Sequence, residues 1–328
     1  MKAGKLPESV MKRSVFKQLH NRREDVKVRP AIGLDFSSID VLEDELVVLS
    51  CDPVTEAADF AAGRGVMAAL NDVACSGAYP VGVLISLLLP TSANEQQLKD
   101  IVKEIDTICE KANAEVLGGH TEVTRAVQRP LITVTGVGKV HRASLKENHL
   151  IEPGMDLVAT KWIGLEGTAI LAMEKEEVLL NRFSAPFIDK AKKLIEYMPV
   201  WSEAAVAVQS GAGGMHDVSK GGIFGALWEM AQAAGVGLEI ELKKIPIRQE
   251  TVEICEFFDI NPYKLISGGC MLIAAKNGEQ LQGMLEKQGI PASLIGRTTS
   301  GNDRVLLNGE ERRFLEHAQT DEIHKVIR

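Results

Sequence analysis

Apolar and polar positions alternate along this chain in two distinct rhythms. Short β-branched runs stand at "ELVVLSCD" (45–52), "VGVLISLLLP" (81–90), "PLITVTGVGKV" (130–140), "MDLVATKWIG" (155–164), "VGLEIEL" (236–242) and "CMLIAAK" (270–276). Each is bounded by Gly, Pro, Asn or Asp, which predicts strands. Between them the period lengthens. In 92–113, Leu98, Ile101, Val102, Ile105, Ile108, Cys109 and Ala112 recur at helical spacing, behind a Ser92–Glu95 pair that reads as a capping box. Further helices are predicted at 221–234, ending near Gly235, and at 186–198, stopped by Pro199.

Strands and helices mix in both halves, so the predicted class is α/β or α+β. With 328 residues, two domains are expected. The turn "EPGMD" (152–156) falls between two strand-like runs and places the boundary at 1–153 and 154–328.

Composition narrows the partners. The net charge of −8 argues against nucleic acid and against an anionic membrane surface. The start has basic residues but no continuous apolar core, so no signal peptide is expected. No run reaches the about 18 apolar residues of a membrane span. The five cysteines (Cys51, Cys75, Cys109, Cys255, Cys270) show no CxxC spacing, which suggests neither a zinc site nor a disulfide framework. A cytoplasmic protein is expected.

Four polar clusters interrupt apolar ground: "IGLDFSS" with Asp35, Asp52 at the end of "VVLSCD", the Asn71-Asp72 pair, and "GGHTEVT" with Gly118, Gly119, His120, Thr121 and Glu122. Carboxylates at element ends near glycines suit Mg²⁺, a hard cation that keeps waters and arrives with phosphates. Each aspartate taken alone reads more often as a turn or cap residue, and His120 alone more often as a structural hydrogen-bonder than a catalyst. In the second half, "GGMHDVSKGGIFGALWEMA" (213–231) offers Asp217 and Ser219 as helix caps. Lys220, Gly221 and Gly222 at the helix start would make an anion site. Ile223, Phe224, Leu227, Trp228 and Met230 are core. There is no Walker GxxxxGK[ST] and no GxGxxG here.

In their order and spacing, "GKLP", "NDVACSGAYP", "GGHTEVT", "TVTGVGKV", "HDVSKGGIFGAL" and "ICEFFDINPYKLISGG" resemble the AIR synthetase (PurM-like) superfamily of ATP-binding proteins, most closely the hydrogenase maturation factor HypE and AIR synthase-related proteins. The resemblance spans nearly the whole chain. It implies an N-terminal domain that binds Mg-ATP and joins a partner copy in a barrel-like homodimer core, followed by a C-terminal α+β domain. It also implies Asp35, Asp52 and Asp72 as metal ligands and Asn71 beside the phosphates. Gly118, Gly119, Thr121 and the segment Asp217, Ser219, Lys220, Gly221 and Gly222 would face the nucleotide.

The departures matter too. Gly33-Leu34-Asp35 lacks one of two adjacent family aspartates, and Glu122 replaces a lysine. Gly268 stands where the HypE pattern has glutamate, and the chain ends "DEIHKVIR" rather than Pro-Arg-Ile-Cys. Two functions follow. One is an ATP-dependent enzyme activating an unidentified small carbonyl or amide acceptor, with His120 or Glu122 as general base and a hydrogenase-maturation protein as partner. The other is a nucleotide-binding scaffold that has lost the HypE chemistry.

Overall fold

The computed structural model describes residues 4–31, 37–54, 60–316 and 320–327. The chain forms two compact units. One comprises residues up to 74 together with 78–143, and the other 75–77 together with 144–328.

The first unit is built on strands β1 (Gly4–Lys5), β4 (Glu45–Val54), β5 (Tyr79–Pro90), β6 (Glu115–Thr124) and β7 (Leu131–His141), in the order β1-β6-β5-β7-β4. A small ribbon, β2 (Val26–Val28) with β3 (Ser38–Ile39), accompanies it. Helix α1 (Glu8–Val10) runs on through a wider turn to Val15, and helices α2 (Ala61–Cys75) and α3 (Glu95–Lys111) follow. β4 and β7 pair antiparallel along their whole length, from Glu45 opposite His141 to Val54 opposite Ile132. β5 runs antiparallel to β7 and parallel to β6, with α3 as the crossover between β5 and β6.

Side chains alternate between the faces of a strand, and β4 shows this plainly. Val47, Leu49, Cys51 and Pro53 are exposed, while Leu46, Val48, Ser50, Asp52 and Val54 are half-buried. Val83, Leu87, Leu89, Ile132 and Val134 lie on the latter, helix-covered face and are almost wholly buried.

Buried charge ties the loops to this sheet. Glu115 accepts from the Arg29 guanidinium at 2.7 Å and from the Arg23 amide at 2.8 Å. Lys139 bonds Asp25 at 3.0 Å, with Glu45 at 3.5 Å. The Arg23 guanidinium, with Lys139, holds the Asp25 carboxyl down to about 2 against the opposing effect of burial. Paired in this way, charges taken out of water are tolerated.

The second unit is a seven-stranded sheet, comprising β8 (Asp156–Thr160), β9 (Gly214–Asp217), β10 (Gly237–Glu241), β11 (Met271–Ala275), β12 (Ala292–Thr299), β13 (Arg304–Asn308) and β14 (Glu311–Phe314). Their order is β14-β13-β10-β12-β8-β11-β9. Its helices are α4 (Leu165–Glu174), α5 (Glu176–Leu179), α6 (Ala185–Lys192), α7 (Trp201–Ser210), α8 (Gly222–Ala234), α9 (Gln249–Phe257) and α10 (Gly278–Lys287). Leu157, Ile223, Leu227, Met230, Leu238, Ile240, Leu272 and Ile295 form its core, packing α8 against the sheet. Among the described residues no helix is long and apolar enough to cross a membrane.

The mixed α/β class and all six expected strands are present. α8 ends on Gly235 in the left-handed conformation, as its sequence foretold. Two local expectations need correction. The capping box of α3 is Asn94 with Gln97, not Ser92 with Glu95. Glu95 turns instead to the Arg13 guanidinium, at 2.5 and 2.6 Å, and to the Ser14 hydroxyl at 2.8 Å. The expected helix 186–198 is α-helical only to Lys192, then tightens to 3₁₀ over Lys193–Tyr197. The polar cluster "GGHTEVT" lies inside β6, where its neighbour β5 supplies the ladder.

The reassigned cap is testable. Asn94→Ala should destabilise α3 by about 1 kcal/mol, the usual cost of losing an N-cap. Ser92→Ala should stay within about 0.5 kcal/mol. Amide exchange at Gln97, read in the full-length protein, separates the two: it should accelerate only in the first variant.

Candidate functional site

The first constellation forms where α2 crosses β4 and β7. At Gly136 a Cβ would sit 2.5 Å from the Ala69 carbonyl oxygen, so only glycine lets the helix approach this closely. That approach brings Asp72 down onto the sheet. The Ser50 hydroxyl lies 2.5 Å from Asp72 Oδ2 and 3.2 Å from Asp52 Oδ2. Two carboxylates 20 residues apart in sequence therefore meet at one hydroxyl.

Their chemistry is all oxygen, which suits Mg²⁺, a cation that takes one or two carboxylates and fills its shell with water and phosphate. Among the described residues no group of three or more His, Cys, Asp or Glu stands together for a metal. Asp35, the third expected ligand, lies outside the described residues. Ser50 was absent from the sequence-derived set, although strand alternation puts it on the same face as Asp52. Asn71 is fully buried.

The second constellation lies on β6. His120 Nε2 is 3.2 Å from Glu122 Oε2; the His120 side chain is exposed and that of Glu122 half-buried. His120 sits opposite Ser86, Ser86 opposite Thr133, and Thr133 opposite Pro53. That row belongs to the outward face, whereas Asp52, opposite Val134, belongs to the helix-covered face. β5 and β7 lie between β6 and β4, a separation of about 14 Å at ordinary strand spacing. Within one copy of the chain, the structure joins Asp52 to Asp72 and His120 to Glu122, but not the two pairs to each other.

Gly118, Gly119, His120 and Thr121 line a cavity of about 710 Å³ in the first unit. It is walled by Met11, Phe16, Leu87, Val102 and Ile105.

The second unit carries the expected anion segment, and here the structure differs. Asp217 ends strand β9 and is buried, so it does not cap α8. Ser219 closes a turn by accepting the Gly222 amide at 3.1 Å. The N-cap of α8 is Gly221, in the left-handed conformation. Its amide donates to Asp321 Oδ2 at 2.7 Å, and Asp321 Oδ1 accepts the Ile323 amide at 2.9 Å. Burial pushes the Asp321 carboxyl above its ordinary value, against the pull of these amides. Both glycine amides are thus already used by the protein, and exposed Lys220 is what the segment offers to solvent. Asp321 lies 100 residues downstream, and no local signal marks it.

A third departure is spatial. Gly268 leaves room for the buried Glu166 carboxylate, whose oxygen lies where a Cβ on residue 268 would stand. A carboxylate from α4 therefore fills the place that a side chain at residue 268 would take. Nearby, buried Lys161 pairs with Glu203 and bonds the Pro199 carbonyl at 2.6 Å. Burial pushes the Cys270 thiol up to about 12, which leaves it unreactive.

Two family models match the chain. "AIR synthase related protein, N-terminal domain" covers residues 33–140 and "AIR synthase related protein, C-terminal domain" covers 152–307. A hydrogenase expression/formation protein of Methanocaldococcus jannaschii is 28% identical over 316 residues, spanning 93% of this chain and 91% of the relative. The crystal structure of Escherichia coli HypE superposes with a TM-score of 0.79 at 20% identity, over 90% of this chain and 94% of that one. The hydrogenase maturation protein HypE in complex with ATP gives 0.78 at 17% identity, over 98% and 97%.

Beside Asp217, His216 Nε2 lies 3.1 Å from Glu229 and Nδ1 3.7 Å from Asp217. Burial alone would lower its pKa, but the two carboxylates outweigh it and raise the imidazole from 6.5 to about 9. The folded state therefore binds this proton more tightly than the unfolded chain. The resulting stabilisation is complete below pH 6.5 and fades as pH rises through 9. His216→Gln should be less stable than the parent at pH 6 and should converge with it above pH 10. Melting curves across that range give the readout.

Proposed function

The chain belongs to the AIR synthase related family, and from that membership we propose that it is a HypE-like, Mg-ATP-dependent enzyme that activates or phosphorylates the oxygen of a small carbonyl or amide acceptor. The observation that carries this reading is the meeting of Asp52 and Asp72 at the Ser50 hydroxyl. A paired carboxylate site has no structural need for its own repulsion, and a divalent cation relieves it. Asp52 and Asp72 would hold Mg²⁺, with Asp35 as the proposed third ligand. The ion would supply charge neutralisation for a transferring phosphoryl group. The similarity to a HypE solved with ATP supports the nucleotide.

Gly118, Gly119 and Thr121 present bare backbone and a small hydroxyl to the nucleotide. The His120–Glu122 pair serves as the base that accepts the acceptor's proton: Glu122 orients the imidazole, and His120 takes the proton. The partners proposed are a hydrogenase-maturation protein and a second copy of this chain. Val47, Leu49 and Leu84 leave 44%, 64% and 38% of their surfaces exposed on the outward sheet face, which favours a homodimer closed through that face.

One observation favours a second reading, a nucleotide-binding scaffold without turnover. The His120–Glu122 pair lies on the face opposite Asp52 and Asp72, so a single copy does not present base and carboxylates to one substrate.

Asp72→Asn should reduce Mg-dependent ATP turnover at least tenfold while leaving the melting temperature within a few degrees. Turnover equal to the parent would refute the metal role. ATP binding in the parent without any turnover would select the scaffold. Leu49→Asp should convert the dimer to a monomer in light scattering; a parent that is already monomeric would overturn the dimer.

A further inference from the structure

Charge is unevenly placed along this chain. Residues 1–29 hold nine Lys and Arg against three Asp and Glu, a net charge of +6 inside a protein of −8. Part of this excess is spent within the fold. The Arg23 guanidinium bonds Asp25 at 2.9 and 3.0 Å, and Arg29 bonds Glu115 at 2.7 Å. Lys12 pairs with Glu8, Lys27 lies 3.4 Å from Asp40, and Arg22 lies 3.6 Å from Glu115.

The rest gathers along one seam of the first unit. The N-terminal segment lies beside α3 and runs in the same direction. Arg13 and Ser14 bond Glu95 at the start of α3, and the His20 amide and ring bond Asp106 farther along it, at 2.9 and 2.8 Å. Glu95, Lys99, Lys103 and Asp106 follow one another at steps of three and four, and so share one face of the helix. Both carboxylates of that row are engaged by the segment. The cations are not balanced in the same way. Lys99 lies 3.4 Å from Glu95, which already holds Arg13. Lys103 is exposed, and so is Lys17, midway between the two anchors. Among the described residues neither makes an ion pair. Arg13 and Lys17, like Lys99 and Lys103, stand four residues apart, a spacing at which like charges on helical turns repel. A partner's carboxylates would relieve that repulsion.

The surroundings select the partner. Leu6 and Leu19 are buried, and Met11, Val15 and Phe16 face the cavity. The segment's large apolar side chains are thus turned inward rather than offered to a lipid surface. The remaining residues of the chain carry −14, which repels a long polyanion such as nucleic acid. A short acidic stretch of polypeptide meets the row of cations without running on over the acidic body.

We propose that the seam between the N-terminal segment and α3, marked by Arg13, Lys17, Lys99 and Lys103, is a docking face for an acidic segment of a partner protein. This is independent of the Mg-ATP reading, since none of these four residues belongs to the candidate site.

The test is fluorescence anisotropy on the full-length protein at low salt, with a labelled Glu-Ser repeat peptide and a Gln-Ser peptide of equal length. Labelled duplex DNA and phosphatidylserine vesicles are compared in the same buffer. Two double variants carry the same change of charge: Lys17→Glu with Lys103→Glu in the seam, and Lys243→Glu with Lys287→Glu, both exposed, on the second unit. Folding is checked by circular dichroism and melting. The parent should bind the Glu-Ser peptide and not the Gln-Ser peptide, and salt should weaken the binding by screening. The seam variant should bind at least tenfold more weakly, and the second-unit variant within twofold of the parent. Equal loss in both variants would overturn the proposal, because net charge rather than the seam would then account for binding. So would a parent that binds neither peptide, that binds both equally, or that binds DNA or vesicles more tightly than the Glu-Ser peptide. Should the seam variant fail to fold, Lys17→Gln alone decides: affinity at least threefold weaker supports the docking face, and unchanged affinity refutes it.

Discussion

The register of the five-stranded sheet is the constraint on which the first unit depends. Because side chains alternate at each residue, the unbroken pairing of β4 with β7 assigns every residue of β4 to one face or the other. Ser50 and Asp52 consequently meet α2, whereas Leu49 and Cys51 face outward. The same rows, carried across β5 to β6, put His120 and Glu122 on the outward side. A slip of one residue would separate Asp52 from Asp72 and turn Leu49 and Val47 into the helix layer.

Close approach of backbone decides the rest of that unit. Gly136 lets α2 settle on the sheet until Asp72 reaches Ser50, and Gly119 lets β6 lie tight against β5. In both places the absent side chain leaves room for neighbouring backbone, the Ala69 carbonyl in one case and the Ile85 carbonyl in the other. These glycines shape chemistry by what they omit, and their cost in chain entropy is repaid by packing that no larger residue permits.

The second unit shows the opposite economy, in which available polar groups are consumed internally. A helix start rich in glycine and preceded by lysine has the makings of an anion site. The chain fills it with Asp321, a carboxylate held by backbone amides and deprived of water. Glu166 likewise occupies the space over Gly268.

Much of this was legible from residue order. Apolar periodicity marked the six strands and the helix ending at Gly235, and the ordered motifs identified the family and its two-domain fold. These are properties of neighbours within about ten residues, where propensity and periodicity act directly. The partnerships were not legible: Ser50 with Asp72, Asn94 in place of Ser92 as cap, Asp321 at the start of α8, and Glu166 above Gly268. Each joins or selects groups whose meeting depends on strand register, helix approach and burial, which are settled only when the whole chain packs. Local sequence therefore determined which elements form and which residues carry charge. Tertiary structure decided which charges meet, because an electrostatic contact requires two positions in space and a sequence specifies only one along a line.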